Sequence, residues 1–144
     1  VPFPAREPTF LPLTVAAART AADSLNEPPT RSSARVVWRR AEEADLAAAD
    51  CWASLLAGCH SPARRGLAPR LLALSEATST YAGQQWWMST GSVHRRRVTD
   101  AELRIVDAVR EGDGAEFAEA FVGYDQAVAT VVVAVQTRLG SPTG

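Results

Sequence analysis

Lysine is missing from this 144-residue chain, and histidine, cysteine, methionine and isoleucine are scarce. All 15 basic residues are arginine, and Ile105 is the only isoleucine in a sequence rich in alanine. We read that pattern as GC-rich coding bias and not as an arginine-driven function, although each arginine keeps the planar fork that grips carboxylates and phosphates in pairs. With His60 and His94 alone, no conventional histidine-rich metal centre can be assembled from one chain. There is no G-x-S-x-G elbow, no phosphate-cradling glycine loop and no paired CxxC. No purely apolar run approaches the roughly 20 residues that span a bilayer, and no segment carries the charged start, apolar stretch and cleavage site of a signal peptide. A net charge of −1 argues against a protein that coats nucleic acid. The expectation is therefore no metal, no cofactor, no membrane and no direct nucleic-acid binding, with small molecules and proteins as the remaining partners.

Cys51 and Cys59 lie eight residues apart in what reads as one helix, roughly 12 Å along its axis at 1.5 Å per residue, too far to bridge. Two free thiols suit a reducing cytoplasm, the expected location.

What is present reads as helix. The length fits one domain able to bury a real core, and 47% apolar with 22% charged residues is an ordinary globular balance. Residues 1–12, with prolines at 2, 4, 8 and 12, predict an extended arm, and residues 13–140 a helical bundle domain. The alanine-rich run from Leu13 to Leu25 is the first helix, stopped by Asn26-Glu27-Pro28-Pro29. Ser32 or Ser33 can cap a second, running to about Leu56, with Val36, Val37, Ala41, Leu46, Ala49, Trp52, Leu55 and Leu56 at helical spacing and Gly58 as its stop. Ser61-Pro62 opens a third, with Leu67, Leu71, Leu72 and Leu74, fading near Tyr81 to Gly83.

The stretch from Gly83 to Arg97 is the least regular. After it, Thr99 and Glu102 spell a capping box, with Val98 and Leu103 as its staple; the helix it starts carries Ile105, Val106 and Val109 and ends at Gly112. Asp113 caps a last helix whose inner face is Phe117, Phe121, Tyr124, Val128, Val131, Val132 and Val135. The β-branched segment TVVVAV keeps helix phase. The fold class is all-α: a single antiparallel bundle of about five helices.

Few residues offer chemistry. The run His94-Arg95-Arg96-Arg97 could hold a phosphate, or it is a solvated loop before a capped helix. A cysteine nucleophile would need an activating base, and an inert buried thiol is the plainer alternative. Trp38 and Trp52 share nearly one face of the second helix. With Trp86, Trp87, Phe121, Phe117 and Tyr124 they either fill the core or wall an apolar ligand pocket.

From Ala48 to about Leu139 the order of features resembles the FCD domain, the helical effector-binding half of many GntR-family transcription regulators. The segment ADCWASLLAGCHSPARRGL is similar to that family's acidic residue, aromatic-His pair and small-residue turn. TDAELRIVDAVREGDGAEFAEAFVGYD is similar to its later helices, with Arg110-Glu111-Gly112-Asp113 as the best match. The resemblance implies a bundle with a central cavity, and it places the family's four metal ligands on Ala48, Trp52, Glu102 and Tyr124. A methyl, an indole, a carboxylate and a phenol do not make a Zn or Ni site. The family's N-terminal winged helix is also missing.

Two functions follow as expectations. One is a sensor or carrier module that binds a hydrophobic or aromatic small molecule in a pocket lined by Trp38, Trp52, Trp86, Trp87 and Phe121. The other is a small cofactor-free enzyme, a cyclase, isomerase or dehydratase, with Glu102 as general acid/base and Tyr124 as hydrogen-bond donor. Glu102 is claimed twice, by the helix cap and by the pocket. Homodimerisation through the valine-rich last helix is a third option.

Overall fold

The computed structural model describes residues 8–24 and 27–140, so the first seven residues of the expected arm, and Leu25 and Asn26, lie outside the described residues. Six helices form, with no strand among the described residues: α1 Pro12–Ser24, α2 Pro28–Ala57, α3 Pro62–Ala82, α4 Gln84–Met88, α5 Ser92–Glu111 and α6 Gly114–Gly140. The all-α bundle expected from the sequence is what the chain adopts, with one helix more. The extra element, α4, lies in the stretch read as irregular.

Two boundaries differ from expectation for physical reasons. Pro28 and Pro29 do not merely stop α1; they open α2, because proline lacks an N–H that the first turn would leave unpaired. The helix expected at Thr99 begins seven residues earlier, at Ser92, and runs through the arginines. Thr99 is therefore mid-helix, and its hydroxyl donates to the Arg95 carbonyl at 3.0 Å instead of capping. Arginine is a good helix former, so the run His94 to Arg97 is helix and not loop.

The stops behave as read. Gly58 and Gly112 take left-handed φ of 66° and 69°, and each closes its helix with paired return bonds. Gly58 N–H donates to Leu55 O and Cys59 N–H to Ser54 O, while Gly112 N–H donates to Val109 O and Asp113 N–H to Ala108 O. Asp113 Oδ1 then accepts the Glu116 N–H at 3.0 Å, capping α6.

Helix α6 is the spine of the fold. It packs chiefly on α5 and α1, while α2 packs on α3 and α1. Its inner face of Phe117, Phe121, Tyr124, Val128, Val131, Val132 and Val135 is wholly buried, as its spacing predicts. Residues Gly114–Leu139 are long and apolar enough, by length and composition, to cross a membrane, but about half of that stretch is buried inside the bundle, as a core helix would be. On α2, Val37, Ala41 and Leu55 turn inward, whereas Leu46 and Leu56 are exposed.

Candidate functional site

The first turn of α1 cannot cap itself. Leu11, which precedes it, has no side-chain oxygen, and Pro12 has no N–H, so the amides of Phe10, Leu11, Leu13 and Thr14 need acceptors from elsewhere. Two buried carboxylates supply them. Asp45 Oδ1, on α2, accepts from Phe10 N–H at 2.7 Å and Leu11 N–H at 3.0 Å. Asp125, on α6, accepts from Leu13 N–H at 3.1 Å and Thr14 N–H at 2.8 Å, while the Thr14 hydroxyl donates to the Asp125 carbonyl at 3.1 Å. Negative charge at a helix N-terminus is the favourable sign.

Asp45 and Asp125 are 3% and 4% exposed, and neither belongs to any of the ion pairs among the described residues. Burial pushes the Asp125 carboxyl above its ordinary range, against the pull of the hydrogen bonds from Thr14 and Leu13, and the charge of Asp45 adds to the push.

These bonds seat Phe10 among aromatic rings. Its centroid lies 6.0 Å from Trp52, 5.7 Å from Phe117 and 5.3 Å from Phe121, the two phenylalanines meeting it edge-on. Trp52 stacks on Phe117 at 6.0 Å, Phe117 meets Phe121 at 5.0 Å, and Phe121 meets Tyr124 edge-on at 6.1 Å. Trp52, Phe117 and Phe121 thus form a cage between α2 and α6, and Phe10 fills it. Phe10 and Trp52 are only half-buried, so the cage reaches the surface, whereas Phe117 and Phe121 form its buried floor.

At the inner end of this file Tyr124 is fully buried, its hydroxyl 3.2 Å from Ser75 Oγ and donating to Leu71 O at 3.3 Å. Burial drives the phenol well above its ordinary range, and the charge of Glu102 contributes to the rise. Glu102, released from any capping duty, is half-buried on α5, and burial pushes its carboxyl upward too. The Ser75–Tyr124 contact thus ties α3 to α6. Ala48 is buried on α2.

The other tryptophans lie elsewhere. Trp38 is half-buried, with the Arg19 guanidinium 5.8 Å above its ring, and borders an open groove of about 310 Å³ with Arg35, Arg39 and Leu46. Trp86 stacks on His94 at 6.0 Å with the Arg138 guanidinium 5.1 Å from its centroid, beside a groove of about 420 Å³. Trp87 is buried next to it in α4. Of the residues expected to bind ligand, the structure brings Trp52 and Phe121 together and leaves Trp38, Trp86 and Trp87 apart from them.

Both cysteines are free, Cys51 buried and Cys59 exposed, and burial raises the Cys51 thiol above its ordinary value, tempered by Arg64. Among the described residues, no three His, Cys, Asp or Glu side chains stand close enough to hold a metal ion. Sequence reasoning missed Phe10, Asp45 and Asp125. The available signal was a charged residue in core phase, Asp45 between Ala41 and Ala48 and Asp125 between Phe121 and Val128. No family model, curated protein or solved structure matches this chain.

Proposed function

We propose that this bundle binds a hydrophobic or aromatic small molecule, as a sensor or carrier module of FCD-like ancestry working in the cytoplasm. The binding site is the cage of Trp52, Phe117 and Phe121, which the chain's own Phe10 occupies as a surrogate ligand. The observation that carries this reading is the set of three ring contacts made by the half-buried Phe10. Ligand sites are mostly apolar with a few placed polar groups, and here the polar group is Asp45, at the edge of the cage. Trp52 and Tyr124, two of the positions that the FCD resemblance assigns to the family pocket, lie along one chain of ring contacts through Phe117 and Phe121.

The acid/base reading of Glu102 and Tyr124 draws support from the raised Glu102 carboxyl, whose charge also raises the Tyr124 phenol. Binding is favoured over catalysis because the Tyr124 hydroxyl is sealed from solvent and already engaged by Ser75 and Leu71. The test is calorimetric titration of Phe10→Ala with 2-phenylethanol. Saturable binding at one site per chain, weaker in the wild type and lost in Trp52→Ala, is expected. Absence of binding to Phe10→Ala would remove the cage as a ligand site.

A further inference from the structure

We infer that the exposed face of α6 is the contact surface for a second copy of this chain, packed antiparallel about a two-fold axis. The observations behind this are separate from those behind the cage. Between Ala120 and Thr137 the only charged residue is Asp125, and it is buried. The outward positions of that stretch include Val122, Gln126, Thr130 and Val133, and the two valines are 59% and 51% exposed. On α2, by contrast, the outward positions include Arg35, Arg39, Glu42 and Asp50. A solvated helix carries charged and polar residues on its outer face, whereas an exposed apolar patch with a polar rim is the surface of a contact site. The patch extends beyond α6. Leu13 of α1, 50% exposed, and Ala17 join Val133 along an open groove of about 470 Å³.

Charge on the other flank selects a copy of the same chain as the occupant. There a groove of about 510 Å³ runs between α5 and α6, lined by Arg97, Asp100 and Arg104 opposite Gln126 and Thr130. Arg104 is held by Glu116 at 2.6 Å. Arg97 and Asp100 are exposed, opposite in sign and about one helical turn apart. Helices α5 and α6 run antiparallel from the turn at Asp113, so counting outward along both sets Arg97 level with Ala129 and Asp100 level with Gln126. The midpoint of Arg97 and Asp100 is then level with the step from Ala127 to Val128, which is also the midpoint of the stretch from Val122 to Val133. A two-fold axis crossing α6 at that step lays the uncharged stripe on itself. The same axis sets Arg97 against the partner's Asp100, and Asp100 against the partner's Arg97. An isologous contact requires this self-complementarity, which a partner of another kind does not. The area also suffices: three helices abreast are about 30 Å across, and a footprint of about 25 Å along them reaches the roughly 800 Å² per partner of a stable dimer.

Sedimentation equilibrium of the full chain tests this, with the exposed Cys59 replaced by serine throughout so that no disulfide imitates association. We expect a dimer at micromolar concentration. Thr130→Arg, at an exposed position beside the axis, should weaken it about a hundredfold, because each copy then buries an unpaired charge. Circular dichroism checks that helix content is kept, and Val133→Arg is measured in parallel in case Thr130→Arg does not fold. Arg97→Asp alone should weaken association about tenfold, since like charges then meet twice. Adding Asp100→Arg to the same chain should restore the original affinity, a rescue that only a copy carrying the same exchange can supply. A chain that stays monomeric would overturn the second copy as occupant. A dimer indifferent to the arginine substitutions would overturn the α6 face, and a double exchange no tighter than the single one would overturn the antiparallel register.

Discussion

Aromatic rings gather at both ends of α6, and the two ends hold them differently. Near Phe117 the rings of Phe10, Trp52, Phe117 and Phe121 touch one another, and the chain that delivers Phe10 is fixed by buried anions. Near Arg138 the ring of Trp86 lies between His94 and a guanidinium; Arg138 also donates to Ala82 O at 2.8 Å, and no carboxylate among the described residues pairs with it. Among the described residues, buried carboxylates stand beside the first group of rings and a guanidinium beside the second. Tryptophan content alone therefore says little about a pocket: Trp52 joins a ring cluster beside buried carboxylates, whereas Trp86 joins a stack beside a guanidinium.

The comparison can be broken in order of expected effect. Asp125→Ala leaves the Leu13 and Thr14 amides without acceptors at the start of α1. It should cost about 3 kcal/mol, at roughly 1–3 kcal/mol per buried donor left unpaired. Chemical denaturation measures it, and a loss comparable to a surface substitution would show that the anionic end is not held as described. Trp52→Ala should cost on the order of 2–3 kcal/mol, reduced from a fully buried tryptophan by its exposure. Trp86→Ala should cost less, about 1–2 kcal/mol, since its ring gives up one stack, one cation–π pair and its packing on Gly91 in place of a cluster of rings. Equal losses for the two tryptophans would erase the distinction between the ends.

The smallest effect is the pH dependence set by Glu102 on α5. Glu102 is harder to ionise folded than unfolded, because burial raises its carboxyl. Its protonated form thus contributes stability that is present at low pH and lost as pH rises from the ordinary carboxylate value through the raised one. Glu102→Gln should flatten the part of the stability profile that lies just above the ordinary carboxylate range. Asp125 carries the same sign, so a residual slope should remain in that variant. A slope steeper in Glu102→Gln than in the wild type would contradict the burial of Glu102.

Much of the architecture was legible in the sequence. The inner face of α6 was readable because seven large apolar residues recur at three- and four-residue spacing, and Gly58 and Gly112 were readable because left-handed stops favour glycine. The start of α5 was not, since Ser92 follows Gly91 with no side-chain cap, whereas the S/T-x-x-E pattern also occurs inside helices, where Thr99 instead bonds back to Arg95. The site was legible in part. Trp52, Phe121, Tyr124 and Glu102 were singled out, but Phe10, Asp45 and Asp125 were not. The contacts that matter join residues 34 and 35 positions apart for Asp45 and 111 and 112 apart for Asp125, and their partners are backbone amides that carry no residue signature.

The central claim is that Phe10 occupies a ligand's place. The most direct measurement is the unfolding midpoint of Phe10→Ala and of the wild type, each with and without 2-phenylethanol. The account predicts a lowered midpoint for Phe10→Ala that the alcohol raises in proportion to site occupancy, with a much smaller rise in the wild type. Equal rises in both proteins, or none in either, would contradict it.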